Sequence, residues 1–169
     1  MELEAAIRTR RTHKAFGPEP VDRETLSALL ELATWAPNHH LTNPWRFRVV
    51  GPGALAALKE ATDPEAAGKL DRAPTLVAVC VLRDGDPVTA EEDLCATACA
   101  AYAVLLGAHA RGLAGYWRTP EVLRTPGGRA ALGLGADEHP VGLLHLGTPR
   151  QEQRVPEREP LAAVTRWLD

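Results

Sequence analysis

Several things are scarce in this 169-residue sequence, and each shortage narrows what the protein can be. It has three cysteines, Cys80, Cys95 and Cys99, all in apolar surroundings, and they build no disulfide framework. Such usage fits a reducing, cytoplasmic setting. The formal net charge is −3, so no basic excess is available for a nucleic-acid partner. No apolar run approaches the roughly 20 residues of a membrane span. Met1 to Arg11 carries acids and arginines where a secretory signal would have an apolar core. Phe, Met and Tyr are rare, and the core falls to Ala and Leu.

Chemical signatures are missing as well. There is no G-x-G-x-x-G: Gly133-Leu134-Gly135 lacks the third glycine and follows no strand. There is no G-x-x-x-x-G-K-[ST] loop either, so any phosphate must be held by side chains. The adjacent His39 and His40 rarely point at one ion, and Cys95 and Cys99 have no further soft ligand, so no metal is expected. No nucleophile, base and acid form a convincing set, which leaves hydrolysis with little support and no side chain as a catalytic candidate.

What remains is an ordinary globular balance, 45% hydrophobic and 24% charged, at a length that suits one domain over residues 1–169. The pattern predicts a short helix at 2–11, with Leu3, Ala6 and Ile7 on one face and Arg10 extending it. A second helix follows, capped by Asp22, with a Leu26, Leu29, Leu30, Ala33 stripe that Pro37 ends. A polar loop runs from Asn38 to Pro44, and residues 45–50 alternate as a strand. A helix at 54–62 and a loop at 63–74 come next. Residues 76–82 form an apolar run that suits a strand buried on both faces. The longest helix is expected to open on a Thr89–Glu92 capping box and close before Gly112, apolar on nearly every side. Burial all round in so small a chain points to help from another subunit. A strand at 114–118, a helix near 127–133 and a strand at 141–146 complete the body. The tail from Thr148 is rich in Pro, Arg and Glu and closes on an amphipathic turn at Leu161–Leu168.

Four constellations carry chemistry. Arg10-Arg11-Thr12-His13-Lys14 gathers cations and a hydroxyl at a helix end, donors that suit a phosphate. A solvated basic turn would explain it too, although Arg10 on the apolar face argues otherwise. Ala36 to Trp45 is a proline-stiffened loop dense in donors and acceptors. Gly115 to Pro120 places an aromatic and an arginine at a strand end, where they can line a flat ligand. Leu143 to Pro149 runs into a glycine turn and is followed by Arg150, Arg154 and Arg158, each of which reads individually as a solvated tail residue.

Taken in order, these residues resemble the FMN-dependent nitroreductase family, and most of all its small single-domain branch. Arg10-Arg11-Thr12 resembles the family's R-R-[ST]. Ala36-Pro37-Asn38-His39 through Asn43-Pro44-Trp45 resembles its A-P-[SDN]-x(5)-Q-P-W loop. Trp117-Arg118-Thr119 resembles W-R-[ST], and Leu146-Gly147-Thr148-Pro149 resembles the closing [IL]-G-x-P. Asn43 stands for the usual glutamine, Trp35 for a common arginine, and the short stretch between the first two strands leaves no room for a lid-like insertion.

The resemblance implies an α+β fold with a mostly antiparallel central sheet flanked by helices. It also implies an intertwined homodimer with FMN at the subunit interface. Arg10, Arg11, Thr12 and Lys14 would then hold the phosphate, ribityl and pyrimidine edge. Trp35 and His39 would reach FMN from the partner chain, Trp117, Arg118 and Thr119 would line the ring, and Arg158 matches a tail arginine loosely. The implied activity is ping-pong hydride transfer at flavin N5 from NADH or NADPH to a nitroaromatic, quinone-like or related small-molecule oxidant. Flavin-binding relatives with other roles (dehalogenation, flavin breakdown, storage) and a non-enzymatic dimeric module are the alternatives.

Overall fold

The structure, a computed structural model, describes residues 1–83 and 85–168. Four strands build one sheet: β1 (Trp45–Val49), β2 (Thr75–Leu82), β3 (Ala114–Arg118) and β4 (Glu138–Gly147). Their order is β1-β2-β4-β3 and every strand pairing is antiparallel. Period-2 alternation makes β2 and β4 serve two cores at once. Val77, Val79, Leu144 and Leu146 face one side, and Leu76, Ala78 and Leu143 face the other. The expected α+β fold and the doubly buried second strand are both found.

Two helices cover the first face. In α2 (Arg23–Ala33), Asp22 accepts the Thr25 N–H at 2.8 Å, and Leu26, Leu29 and Ala33 are buried. In α5 (Pro87–Ala110), Val104, Leu105 and Ala108 sit against the sheet. The other face carries α3 (Pro52–Glu60), the short α4 (Pro64–Gly68) and α6 (Pro126–Ala131), with Leu58, Leu70 and Leu123 buried beneath. The first helix, α1 (Leu3–Thr9), and the last, α7 (Leu161–Val164), lie at the chain ends.

Several expectations need correction. In α1 only Ala6 is buried, while Leu3 and Ile7 are exposed. The loop expected at 63–74 contains α4, whose Asp63 cap accepts the Ala66 N–H at 2.9 Å. The cap of α5 is Asp86, with Pro87 in the first turn, and Thr89 donates its backbone N–H to it at 2.8 Å. Thr89 is thus the third helical residue, three places inside the cap.

α5 is not buried all round. Within the single chain Val88, Cys95, Cys99 and Tyr102 are exposed on one face. By length and composition α5 could cross a membrane, contrary to the reading that no segment qualifies. Half of its apolar stretch is buried inside the fold. β4 begins three residues earlier than expected because Val141 is an extra residue: Val79 pairs with Gly142 and Cys80 with Pro140. A bulge tolerates the N–H that proline lacks, so Pro140 does not end the strand.

Candidate functional site

The chain leaves α1 at Arg10 in an extended conformation (φ −57°, ψ 131°) and lies against the start of β3. Thr12 bridges Gly115 in the parallel sense, and His13 N–H donates to the Gly115 carbonyl at 3.2 Å. Beyond it, Phe16 bridges Pro149, and Gly17 N–H donates to the Thr148 carbonyl at 2.9 Å. The first seventeen residues therefore anchor the start of the tail, which folds back over them. A cleft of about 410 Å³ opens between Arg8, Arg10, Tyr102, Val155, Pro156 and Arg158. A contiguous hollow of about 270 Å³ shares Arg10, Arg11 and Arg158 and adds Thr12, Gln153 and Arg154.

This cluster is cationic and short of partners. The Arg10 guanidinium lies 5.8 Å from the centre of the Tyr102 ring. Arg11 donates to the carbonyls of Arg8 and Arg10 at 2.7 and 2.9 Å, which fixes its plane without cancelling its charge. Arg10 Nε, His13 Nδ1 and Gln153 Nε2 are buried with no hydrogen-bond partner. Buried polar atoms normally find partners, and leaving one unmet costs about 1–3 kcal/mol. Burial holds the His13 imidazole below its ordinary pKa, with His109 and Arg10 adding to the effect. His109 is lowered by burial and then by Arg10 and Arg11. Both histidines therefore sit in positive surroundings that an anion would relieve.

Of the expected site residues, Arg10, Arg11, Thr12 and Arg158 come together here. Lys14 is exposed and makes no hydrogen bond or ion pair among the described residues. Trp35, just past the end of α2, is 82% exposed. His39 Nδ1 lies 2.8 Å from Glu92 Oε2, so the loop is tied to α5. Alternation along β3 sends Trp117 and Arg118 to opposite faces of the sheet. Trp117 packs on the α5 side and its indole N–H donates to the Val141 carbonyl at 3.4 Å. Arg118 donates to the Lys69 carbonyl at 3.2 Å and lies 6.0 Å from the Tyr116 ring. Thr119 is exposed. Gln153, Arg154 and Tyr102 were not anticipated. The arginines at 150, 154 and 158 were a signal, but nothing local says that the tail turns back on the N-terminus.

The loop between α2 and β1 is strained and heavily bonded. His40, Leu41 and Asn43 have φ of 51°, 53° and 49°, a region that costs an L-residue about 1 kcal/mol and that asparagine tolerates best. Asn38 Oδ1 accepts the Asn43 N–H at 2.9 Å, and Thr42 Oγ1 donates to Asp93 Oδ1 at 2.6 Å. Among the described residues no three His, Cys, Asp or Glu side chains group to hold a metal.

Comparison with known proteins adds an independent line. Residues 7–65 match the model of the Nitroreductase family. The chain is 30% identical to the candidate NAD(P)H nitroreductase YdjA of Escherichia coli strain K12, over 88% of each chain. It is similar to a nitroreductase-like family protein from Bacillus cereus, with TM-score 0.90, 25% identity, and 100% and 97% of the two chains covered. It is also similar to a candidate nitroreductase from Desulfovibrio desulfuricans solved in complex with FMN, with TM-score 0.82, 26% identity, and 98% and 96% covered.

Proposed function

The chain belongs to the nitroreductase family, and we propose that it binds FMN, takes electrons from NADH or NADPH, and reduces nitroaromatic, quinone-like or related small oxidants. One observation carries the cofactor reading. Arg10 and Gln153, whose Nε and Nε2 are buried and unpartnered, line one hollow with Arg11, Thr12, Arg154 and Arg158. FMN brings a phosphate of charge about −2 near neutral pH, which answers that set of donors. The residues present therefore fit the group.

Arg10 and Arg158 would clamp the phosphate, Thr12 would offer a hydroxyl donor, and Tyr102 would shield the Arg10 side chain from water. Lys14 would stand at the pyrimidine edge, and the ring would lie along one face of the Trp117–Thr119 segment, since Trp117 and Arg118 point to opposite faces of the sheet. Bound FMN supplies the redox chemistry, with donor and oxidant using one face in turn in a ping-pong order. The chain itself supplies position and positive charge.

We further propose that the working unit is a homodimer in the cytoplasm, with Trp35 and His39 reaching the partner's FMN. The apolar face of α5 at Val88 and Tyr102, and the exposed Val155, Leu161, Val164, Trp167 and Leu168 of the tail, favour pairing. Free thiols at Cys80, Cys95 and Cys99 are in keeping with a reducing compartment.

The test is an absorption spectrum of the purified protein before and after anaerobic NADH or NADPH. Bands near ~450 nm that bleach are expected of a reducible flavin. A yellow protein that does not bleach points to a flavin carrier or to flavin breakdown. A colourless protein that cannot be reconstituted with FMN overturns the reading.

A further inference from the structure

A second cavity, of about 380 Å³, opens at the far end of the sheet, where β2 ends and β4 begins. It shares no lining residue with the Arg10 cleft. Leu94 lines it from α5, eight positions before the Tyr102 of the other cleft, or about 12 Å along the helix axis. Three arginines and a histidine converge on it: Arg83 from the end of β2, Arg124 and Arg129 from the segment after β3, and His139 from β4. Among the described residues no carboxylate lines it.

Among the described residues no ion pair cancels this charge. Glu138, next to His139 in sequence, is buried. Its carboxylate is taken by Arg48 Nη2 at 2.6 and 2.8 Å and by the Gly135 N–H at 2.9 Å. Arg129 donates to two backbone carbonyls, Glu138 at 2.9 Å and Gly135 at 2.6 Å. Carbonyls orient a guanidinium but leave its charge intact, and three of its five N–H groups stay free.

The other half of the lining is apolar. Val81, Leu94 and Val141 form a floor between the sheet and α5. Val141 is the bulged residue of β4, and bulges re-aim side chains at sites. An apolar lining shared with guanidinium groups suits a ligand with an aromatic body and a carboxylate head, because guanidinium pairs with carboxylate in the plane and stacks on aromatic faces. The volume lies in the range of small-molecule clefts.

We propose that this cavity is a binding site for small aryl carboxylates, separate from the Arg10 cleft. Calorimetric titration of the purified protein with benzoate, benzamide and inorganic phosphate tests it. Benzoate is expected to bind saturably at one site per chain, with benzamide and phosphate each at least tenfold weaker. Arg83→Gln/Arg124→Gln, both exposed positions, should weaken benzoate at least tenfold, and Leu94→Asp should abolish its binding. Arg158→Gln should leave it unchanged, and circular dichroism checks that each variant is folded. The proposal is overturned by the absence of benzoate binding, by equal affinity for benzamide or phosphate, by retained affinity in both cavity variants, or by a loss with Arg158→Gln.

Discussion

Two side chains show what burial does to single groups here. Arg10 keeps a buried Nε without a partner beside Tyr102. Removing a charged hydrogen-bonding group from an anion site typically costs about 1.5–3 kcal/mol, or roughly tenfold to more than a hundredfold in affinity. Arg10→Ala is therefore expected to weaken FMN binding by that factor, read from the quenching of FMN fluorescence on titration. If affinity is unchanged, the phosphate is held elsewhere.

His145 is the other case. It sits in the centre of β4, fully buried, with neither ring nitrogen bonded and Tyr116 5.9 Å away. Burial, with Arg118 and Arg72 adding to it, pushes its pKa down from 6.5 to about 4. The folded state thus prefers the neutral ring, while the unfolded chain takes up a proton at its ordinary pKa. This preference is fully present above pH 6.5 and is lost as the pH falls towards 4. At about 1.4 kcal/mol per pH unit the loss amounts to about 3 kcal/mol. Urea denaturation across pH 4–7 should show that fall, and His145→Leu should remove most of it. His13 and His109, lowered in the same direction, contribute to what remains, as do the capping carboxylates of Asp22, Asp63 and Asp86 at the acid end.

Among the elements, β3 and β4 meet most tightly at Gly142. A Cβ there would lie 2.0 Å from the Trp117 indole nitrogen and 2.9 Å from the Arg118 carbonyl oxygen. Gly142→Ala should push Trp117 off its seat and cost about 1–3 kcal/mol, visible as a lower melting temperature with a shifted tryptophan emission. In the loop before β1, Leu41 holds φ at 53° with its side chain 77% exposed. Leu41→Gly should relieve that strain and raise stability by about 1 kcal/mol in the same melting experiment. An unchanged or lower melting temperature would mean that the loop does not store strain there.

Much of this was legible in the sequence, and the parts that were not share a cause. The apolar run at 76–82 reads as a doubly buried strand because both faces of β2 need apolar residues. The Leu26, Leu29, Ala33 stripe reads as a helix because one face of α2 is buried. Pro140 hid the start of β4, since a bulge that accommodates proline depends on the partner strand. Pro64 and Gly68 made α4 look like a loop, since its Asp63 cap outweighs weak propensity over only five residues. Arg10, Arg11 and Thr12 were recognisable as a phosphate-type cluster, whereas Gln153 and Arg154 join it through contacts 140 residues distant, which no local pattern encodes. The opposite facing of Trp117 and Arg118 is written in plain strand alternation and follows from their being neighbours.

At the scale of the molecule, the single chain leaves apolar surface without cover. Tyr102, Val88 and the two thiols of α5 face outwards, and Trp167 is 89% exposed at the tail's end. Such residues are expected at the pairing surface of a dimer. Sedimentation of the full chain should give a dimer, and a chain ended after Thr148 should give a monomer that no longer retains FMN, having lost Gln153, Arg154 and Arg158 together. A truncated chain that still pairs and stays yellow would place both the interface and the phosphate site outside the tail.

The meeting of the two chain ends also bears on how the protein is made. Arg10 to Thr12 are synthesised long before Arg154 and Arg158, yet they build one cleft. A nascent chain stalled anywhere before Gln153 therefore leaves the basic N-terminal segment without the tail half of that cleft.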